Sequence, residues 1–185
     1  HIAGMLHGKL LTSPHAHARI RSIDTSKAEA FPGVKAVMTA VDLPIFEREK
    51  DIDFFAEAFR GARIMAEHFM AREKVLYIGH PVAAVAAINA HIAEDALKLI
   101  EVDYEILPAV LTIEEALKPD APLVHDTLTT VVKGGADGKQ DSGNKSNIAG
   151  HSQLKRGDIE RGFQEAKVIV EKEFSTQAVH PGYIE

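Results

Sequence analysis

The chain is 185 residues long and carries 27 Asp and Glu against 21 Lys and Arg, a net charge of −6 with a pI near 5.9. An acidic balance argues against a nucleic-acid partner, whose phosphates would call for a basic face. The absence of cysteine excludes a disulfide frame, a thiolate zinc site and an iron–sulfur cluster held by this chain's own side chains. It also fits a cytoplasmic setting.

A hydrophobic content of 45 % suits one globular domain with a short appendage. No apolar run reaches the ~18 residues that suggest a membrane span, and no signal peptide is visible. The chain starts at His1 without a Met and stops at Glu185 just after an apolar patch. The expectation is therefore a piece of a longer protein.

Leu6 to Leu11 open a strand that ends near Ser13-Pro14. Ala18–Asp24 alternates with period two, as a half-buried strand does, with Arg19 and Arg21 on its polar face and a bulge near Ser22-Ile23. Asp24-Thr25-Ser26 can cap a short helix over Lys27–Phe31. Pro32-Gly33 is a turn, and Val34–Ala40 is a strand stopped by Asp42 and Pro44.

Residues 45–73 are the least regular stretch. Phe54, Phe55, Ala58 and Phe59 have the spacing of a short amphipathic helix. Val75–Ile78 reads as a strand, Gly79-His80-Pro81 as a tight corner, and the unbroken apolar run Val82–Ile88 as a strand buried on both faces. The period then changes. Ile92, Ala96, Leu97 and Ile100 share one side of a helix capped by Asn89, with Glu94, Asp95, Lys98 and Glu101 on the other. Val102, Tyr104 and Ile106 alternate as a strand ended by Pro108. Thr112 and Glu115 have the spacing of a capping box opening a helix that runs to Leu117.

Residues 133–153 are rich in Gly, Ser, Asn and charge and read as a loop or linker. Asp158 can cap a helix carrying Ile159, Phe163 and Ala166, and Val168–Phe174 reads as a last strand. The expected organisation is a domain over 1–132, the linker over 133–153, and a helix and strand over 154–185 that lead out of the domain.

Four constellations could carry chemistry, and each has a plainer explanation. His15 and His17 share one side of an extended segment, but a zinc site needs further ligands and none accompanies them. Gly134, Gly135 and Gly138 feed more polar loop instead of a helix, so they do not form a phosphate cradle. Glu101, Asp103 and Glu105 place carboxylates on one face of a strand, where a solvated face is the simpler reading. His80 sits at the corner of two core strands, as a structural residue or a partner contact. No nucleophile–base arrangement is visible, and no catalytic, cofactor-binding or metal-binding residue is assigned.

Three blocks nevertheless form a pattern: GMLHGKLLTSPHAHARIRSIDTSKAEAFPGVKAVMTA, KVLYIGHPVAAVAA and AEDALKLIEVDYEILPAV. Together they resemble the amino-terminal a/b hammerhead domain of the large subunit of molybdenum hydroxylases, the xanthine dehydrogenase/aldehyde oxidase family. The resemblance covers about residues 4–44, 74–126 and 156–185. In the closing segment His180, Ile184 and Glu185 match a His-x-x-x-(Leu/Ile)-Glu pattern of that subunit.

The resemblance implies an α+β fold, a mixed sheet of six or seven strands with two or three covering helices. It implies a structural and docking domain, inactive alone, within an oxidoreductase carrying a molybdopterin cofactor. The partners implied are the molybdenum-binding domain of the same subunit and the domains or subunits that carry iron–sulfur clusters and flavin. The family's pterin-cradling loops and its general-base glutamate lie further along the subunit, so no catalytic residue is transferred to this chain. The alternative is a free-standing protein-interaction or small-ligand-binding domain with no redox role.

Overall fold

A computed structural model describes residues 2–43, 67–133 and 139–177. The expected helix at Phe54–Phe59, the glycines 134, 135 and 138, and the His180–Glu185 pattern lie outside the described residues.

The chain divides into two compact units, one of residues 1–128 and 145–148, the other of 129–144 and 149–185. In the first unit, β1 (His7–Thr12), β2 (Ala18–Asp24) and β3 (Val34–Thr39) are followed by β4 (Lys74–Val75), β5 (Pro81–Ala87) and β6 (Glu101–Ile106). The helices are α1 (Ser26–Glu29), α2 (Ala90–Leu97) and α3 (Ile113–Ala116). The α+β class is therefore met. The strands of this unit, however, form two three-stranded sheets instead of one mixed sheet, ordered β1-β5-β3 and β4-β2-β6, with every pairing antiparallel.

The first sheet is centred on β5. Ala83, Val85 and Ala87 project from one of its faces and are buried together with Ala93 and Ala96 of α2 and with Ala28 of α1. The alanines on both sides let helix and sheet approach closely, because a methyl group takes little room at those positions. Val82 belongs to a second cluster with Ala18, Ala71 and Val75. Ala84 and Ala86 are only half-buried. The run Val82–Ile88 is thus covered along one face, and the expectation of burial on both faces does not hold over its second half.

Local signals read in the sequence have local physical counterparts. Asn89 Oδ1 accepts the Ile92 N–H at 2.8 Å and opens α2. Thr112 Oγ1 accepts the Glu115 N–H at 3.1 Å, while Glu115 Oε2 reaches back to the Thr112 N–H at 3.3 Å. The Ser26 N–H donates to Asp24 Oδ1. In β2 the pairing register shifts between Ile20 and Ser22, just before the Ser22-Ile23 position that the sequence suggests for a bulge.

Elsewhere the structure departs from the sequence reading. The strand read as Val75–Ile78 ends at Val75. The Leu76 N–H is taken by the His80 ring and the Gly79 N–H by the Ser13 carbonyl, so neither joins a ladder. The linker at 133–153 contains β8 (Lys139–Lys145) and β9 (Gly150–Ser152), which form a sheet with β7 (Thr129–Lys133) in the order β8-β7-β9. The pairing of β7 with β9 is parallel. Backbone pairing makes these strands despite a composition that offers little to bury. In the second unit α4 (Ile159–Glu165) follows, capped by Asp158 as expected. Val168–Phe174 is not a strand: no described residue pairs with it.

Candidate functional site

The residues with chemical potential fall into three places in the first unit. The first is the entry to β2. Ser13 is buried and closes a local turn, donating to the His15 carbonyl and accepting the His15 N–H at 3.0 Å. The His15 ring meets Tyr104 edge-on at 5.0 Å. Burial raises the Tyr104 phenol above its ordinary value, opposed by a hydrogen bond with Ser13. His17 Nδ1 lies 2.7 Å from the Pro108 carbonyl oxygen. A carbonyl can only accept, so Nδ1 carries the proton. His17 Nε2 is buried without a hydrogen-bond partner among the described residues. His15 and His17 are therefore each engaged separately and do not converge on a common point.

The second place is the outer face of β6. Glu105 lies 3.8 Å from Arg19 and 3.6 Å from Arg21, both largely exposed. Glu101 pairs with Lys27. Hydrogen bonding to Lys98 lowers the Asp95 carboxyl in the same way that such exposed pairs ordinarily do. Glu101 and Glu105 are thus ion-paired on a solvated face, with Asp103 exposed between them. Water screens such exposed pairs, so they add little to stability.

The third place is the corner after β4. His80 is fully buried. Its Nδ1 accepts the Leu76 N–H at 3.1 Å, so the proton resides on Nε2, which donates to the Glu67 carbonyl at 2.7 Å. Tyr77 stacks on the His80 ring at 4.4 Å and donates its hydroxyl to the His68 carbonyl at 3.0 Å. His68 lies 6.3 Å from His80 and 5.7 Å from His125, centroid to centroid. His125 Nδ1 is 3.9 Å from Glu67 Oε2. Lys74, with only 10 % of its side chain exposed, reaches Asp126 at 3.0 Å and the Val124 carbonyl at 3.0 Å. Burial lowers both the His80 and the His125 imidazoles below their ordinary value, and charge on His68 adds to the effect.

Of this cluster the sequence singled out His80 alone. His68 and His125 are 57 residues apart, and only the tertiary structure brings them to one ring system. The signal that could have pointed there is the count of ten histidines in an otherwise acidic chain.

Among the described residues no group of three or more His, Cys, Asp or Glu side chains is arranged to hold a metal ion. No described helix is long and apolar enough to cross a membrane. What the fold and these clusters define is an α+β domain whose polar side chains tie its own segments together.

The family model described as "Aldehyde oxidase and xanthine dehydrogenase, a/b hammerhead domain" matches residues 1–108. The chain belongs to this family. It is 38 % identical over 192 residues to a probable hypoxanthine oxidase of Escherichia coli K12, a match covering 92 % of this chain and 19 % of that protein. It is 36 % identical over 190 residues to the carbon monoxide dehydrogenase large chain of Afipia carboxidovorans, covering all of this chain and 21 % of that one. Among solved structures, quinoline 2-oxidoreductase from Pseudomonas putida 86 superposes with a TM-score of 0.54 at 37 % identity, over 69 % of this chain and 16 % of that chain. The chain thus spans about a fifth of the length of the curated relatives it matches.

Proposed function

We propose that this chain serves as the hammerhead portion of the large subunit of a molybdopterin-dependent hydroxylase or dehydrogenase, as a structural and docking domain with no catalytic group of its own. The observation that carries this reading is the continuous match of residues 1–108 to the hammerhead domain, supported by relatives that are large chains of oxidoreductases. The partners are the molybdenum-binding domain of the same subunit and the iron–sulfur and flavin domains or subunits. The setting is cytoplasmic.

The described side chains do not offer a ligand set for a resident metal. The chain has no thiolate to offer, both ring nitrogens of His80 are occupied, and His17 and His15 are turned to separate partners. The chain's own contribution is a rigid alanine-packed core that can hold a neighbouring domain in place.

The test is a comparison of two polypeptides made in the same molybdopterin-producing host: this chain, and the translated reading frame that contains it. Molybdenum content by elemental analysis should be stoichiometric in the longer protein and at background in the shorter. Molybdenum bound by the 185 residues alone would contradict the docking role. A reading frame with no coding sequence beyond these residues would favour a free-standing domain.

A further inference from the structure

We propose that the 67–70 helical turn and the 122–126 loop are held to the corner at 74–81 by an imidazole clasp that acid releases. The loop at 122–126, distant in sequence, meets two neighbouring segments there, and side chains make the ties. His80 Nε2–H holds the Glu67 carbonyl, the Tyr77 hydroxyl holds the His68 carbonyl, and Lys74 holds Val124 and Asp126. His125 closes the ring from the loop side, against Glu67 and the His68 ring.

The release follows from the tautomer of His80. Its Nδ1 is an acceptor for the Leu76 N–H. A proton added at Nδ1 turns the acceptor into a donor facing a donor, and that bond cannot persist. The ring is fully buried and stacked on Tyr77, so water cannot solvate the new charge while the clasp is closed. In the open form each imidazole is solvated and charges at its ordinary value.

The groups facing the two rings are few. Glu67 and His68 come from the turn, Tyr77 and Lys74 from the corner, and Asp126 from the loop. Toward His125 the carboxylates of Glu67 and Asp126 favour the charged form, while Lys74, His68 and burial oppose it, burial most of all. Toward His80, burial and His68 oppose the charge against the single favourable bond to the Glu67 carbonyl.

The sign is then fixed. Both imidazoles are lowered in the closed form, so the clasp is at full strength above the ordinary histidine value of about 6.5. It weakens as pH falls from there toward the closed-form values. Over that window the opening equilibrium gains up to about tenfold per pH unit for each imidazole that charges only when open. The core cluster around Val85 contains no titratable group and should not respond.

Amide hydrogen exchange of the full chain, corrected for intrinsic exchange at each pH, reads this directly. The Leu76 amide should open measurably more, by several-fold or above, at pH 5 than at pH 7, while Val85 stays unchanged. His80→Asn keeps an acceptor near Nδ1 that does not titrate, and His125→Gln removes the second proton site. Each should flatten the Leu76 dependence. Should His80→Asn fail to fold, the wild-type profile and His125→Gln decide alone. Leu76 protection that stays constant relative to Val85 between pH 7 and 5 overturns the clasp. So does a wild-type slope that His125→Gln leaves unchanged together with a His80 ring that NMR shows neutral throughout.

Discussion

Gly33→Ala is the sharpest test of how the first sheet is packed. Gly33 ends the turn between α1 and β3 with φ at +93°, and its carbonyl accepts the Ile88 N–H at 3.0 Å. A Cβ built there would stand 2.8 Å from Ile92 Cδ1 and 3.2 Å from two carbons of Ile88. Two costs therefore add. The left-handed backbone costs an alanine about 1–2 kcal/mol. Turning the Ile92 tip out of the way costs roughly a further 0.5–1.5 kcal/mol in rotamer strain. The substitution should remove about 2–3 kcal/mol in all. Gly79 is the control, because its φ is +87° but nothing lies within 4 Å of its would-be Cβ. Gly79→Ala should lose only the backbone share. Urea unfolding followed by the Val85 amide signal reports on this unit alone, and the midpoint for Gly33→Ala should fall by roughly 1 M. If Gly33→Ala costs no more than Gly79→Ala, the close approach of the turn to α2 is not a feature of the folded protein.

Other consequences are simpler. Asn89→Ala removes the acceptor for the Ile92 N–H and should cost about 1 kcal/mol, seen in the same urea assay; a loss under a few tenths would mean the cap is not formed in solution. Val85→Ala deletes two methyl groups from a fully buried position between β1, β3 and α2, worth roughly 1.6 kcal/mol in transfer and more if the gap does not close. In the second unit Val168, Ile169, Val170 and Phe174 are each at least 60 % exposed with no strand partner. Light scattering of the full chain should therefore show self-association that Val170→Glu together with Phe174→Glu abolishes. Equal monomer content in both would remove the argument that this segment seeks a partner.

The local elements were legible because their causes are local. Asn89 and Thr112 lie three residues from the N–H groups they accept, so capping is written in spacing alone. The alternation of Ala18–Asp24 and the change of period after Ile88 likewise fixed strand and helix, since each reports which face of an element must leave water. The three sequence blocks were enough to place the chain in its family before any geometry was known.

Pairing was the part that only tertiary structure decided. Leu76–Ile78 has the composition of a strand, yet the His80 ring captures the backbone donor a ladder would need, and that ring returns from four residues away through a positive-φ glycine. Lys139–Lys145 and Gly150–Ser152 have the composition of a linker, yet they pair with Thr129–Lys133, because backbone groups supply the bonds whatever the side chains are. Val168–Phe174 has the composition of a strand and pairs with no described residue. The imidazole cluster is the clearest case. Glu67, His68, Tyr77, His80 and His125 carry no spacing that a sequence pattern would register, and their coupling exists only because β4 and its corner bring the turn and the loop to one point. Propensity and periodicity express what a residue does with its immediate neighbours. Which donor meets which acceptor across tens of residues is set by the packing of the sheets, and the sequence does not spell that out.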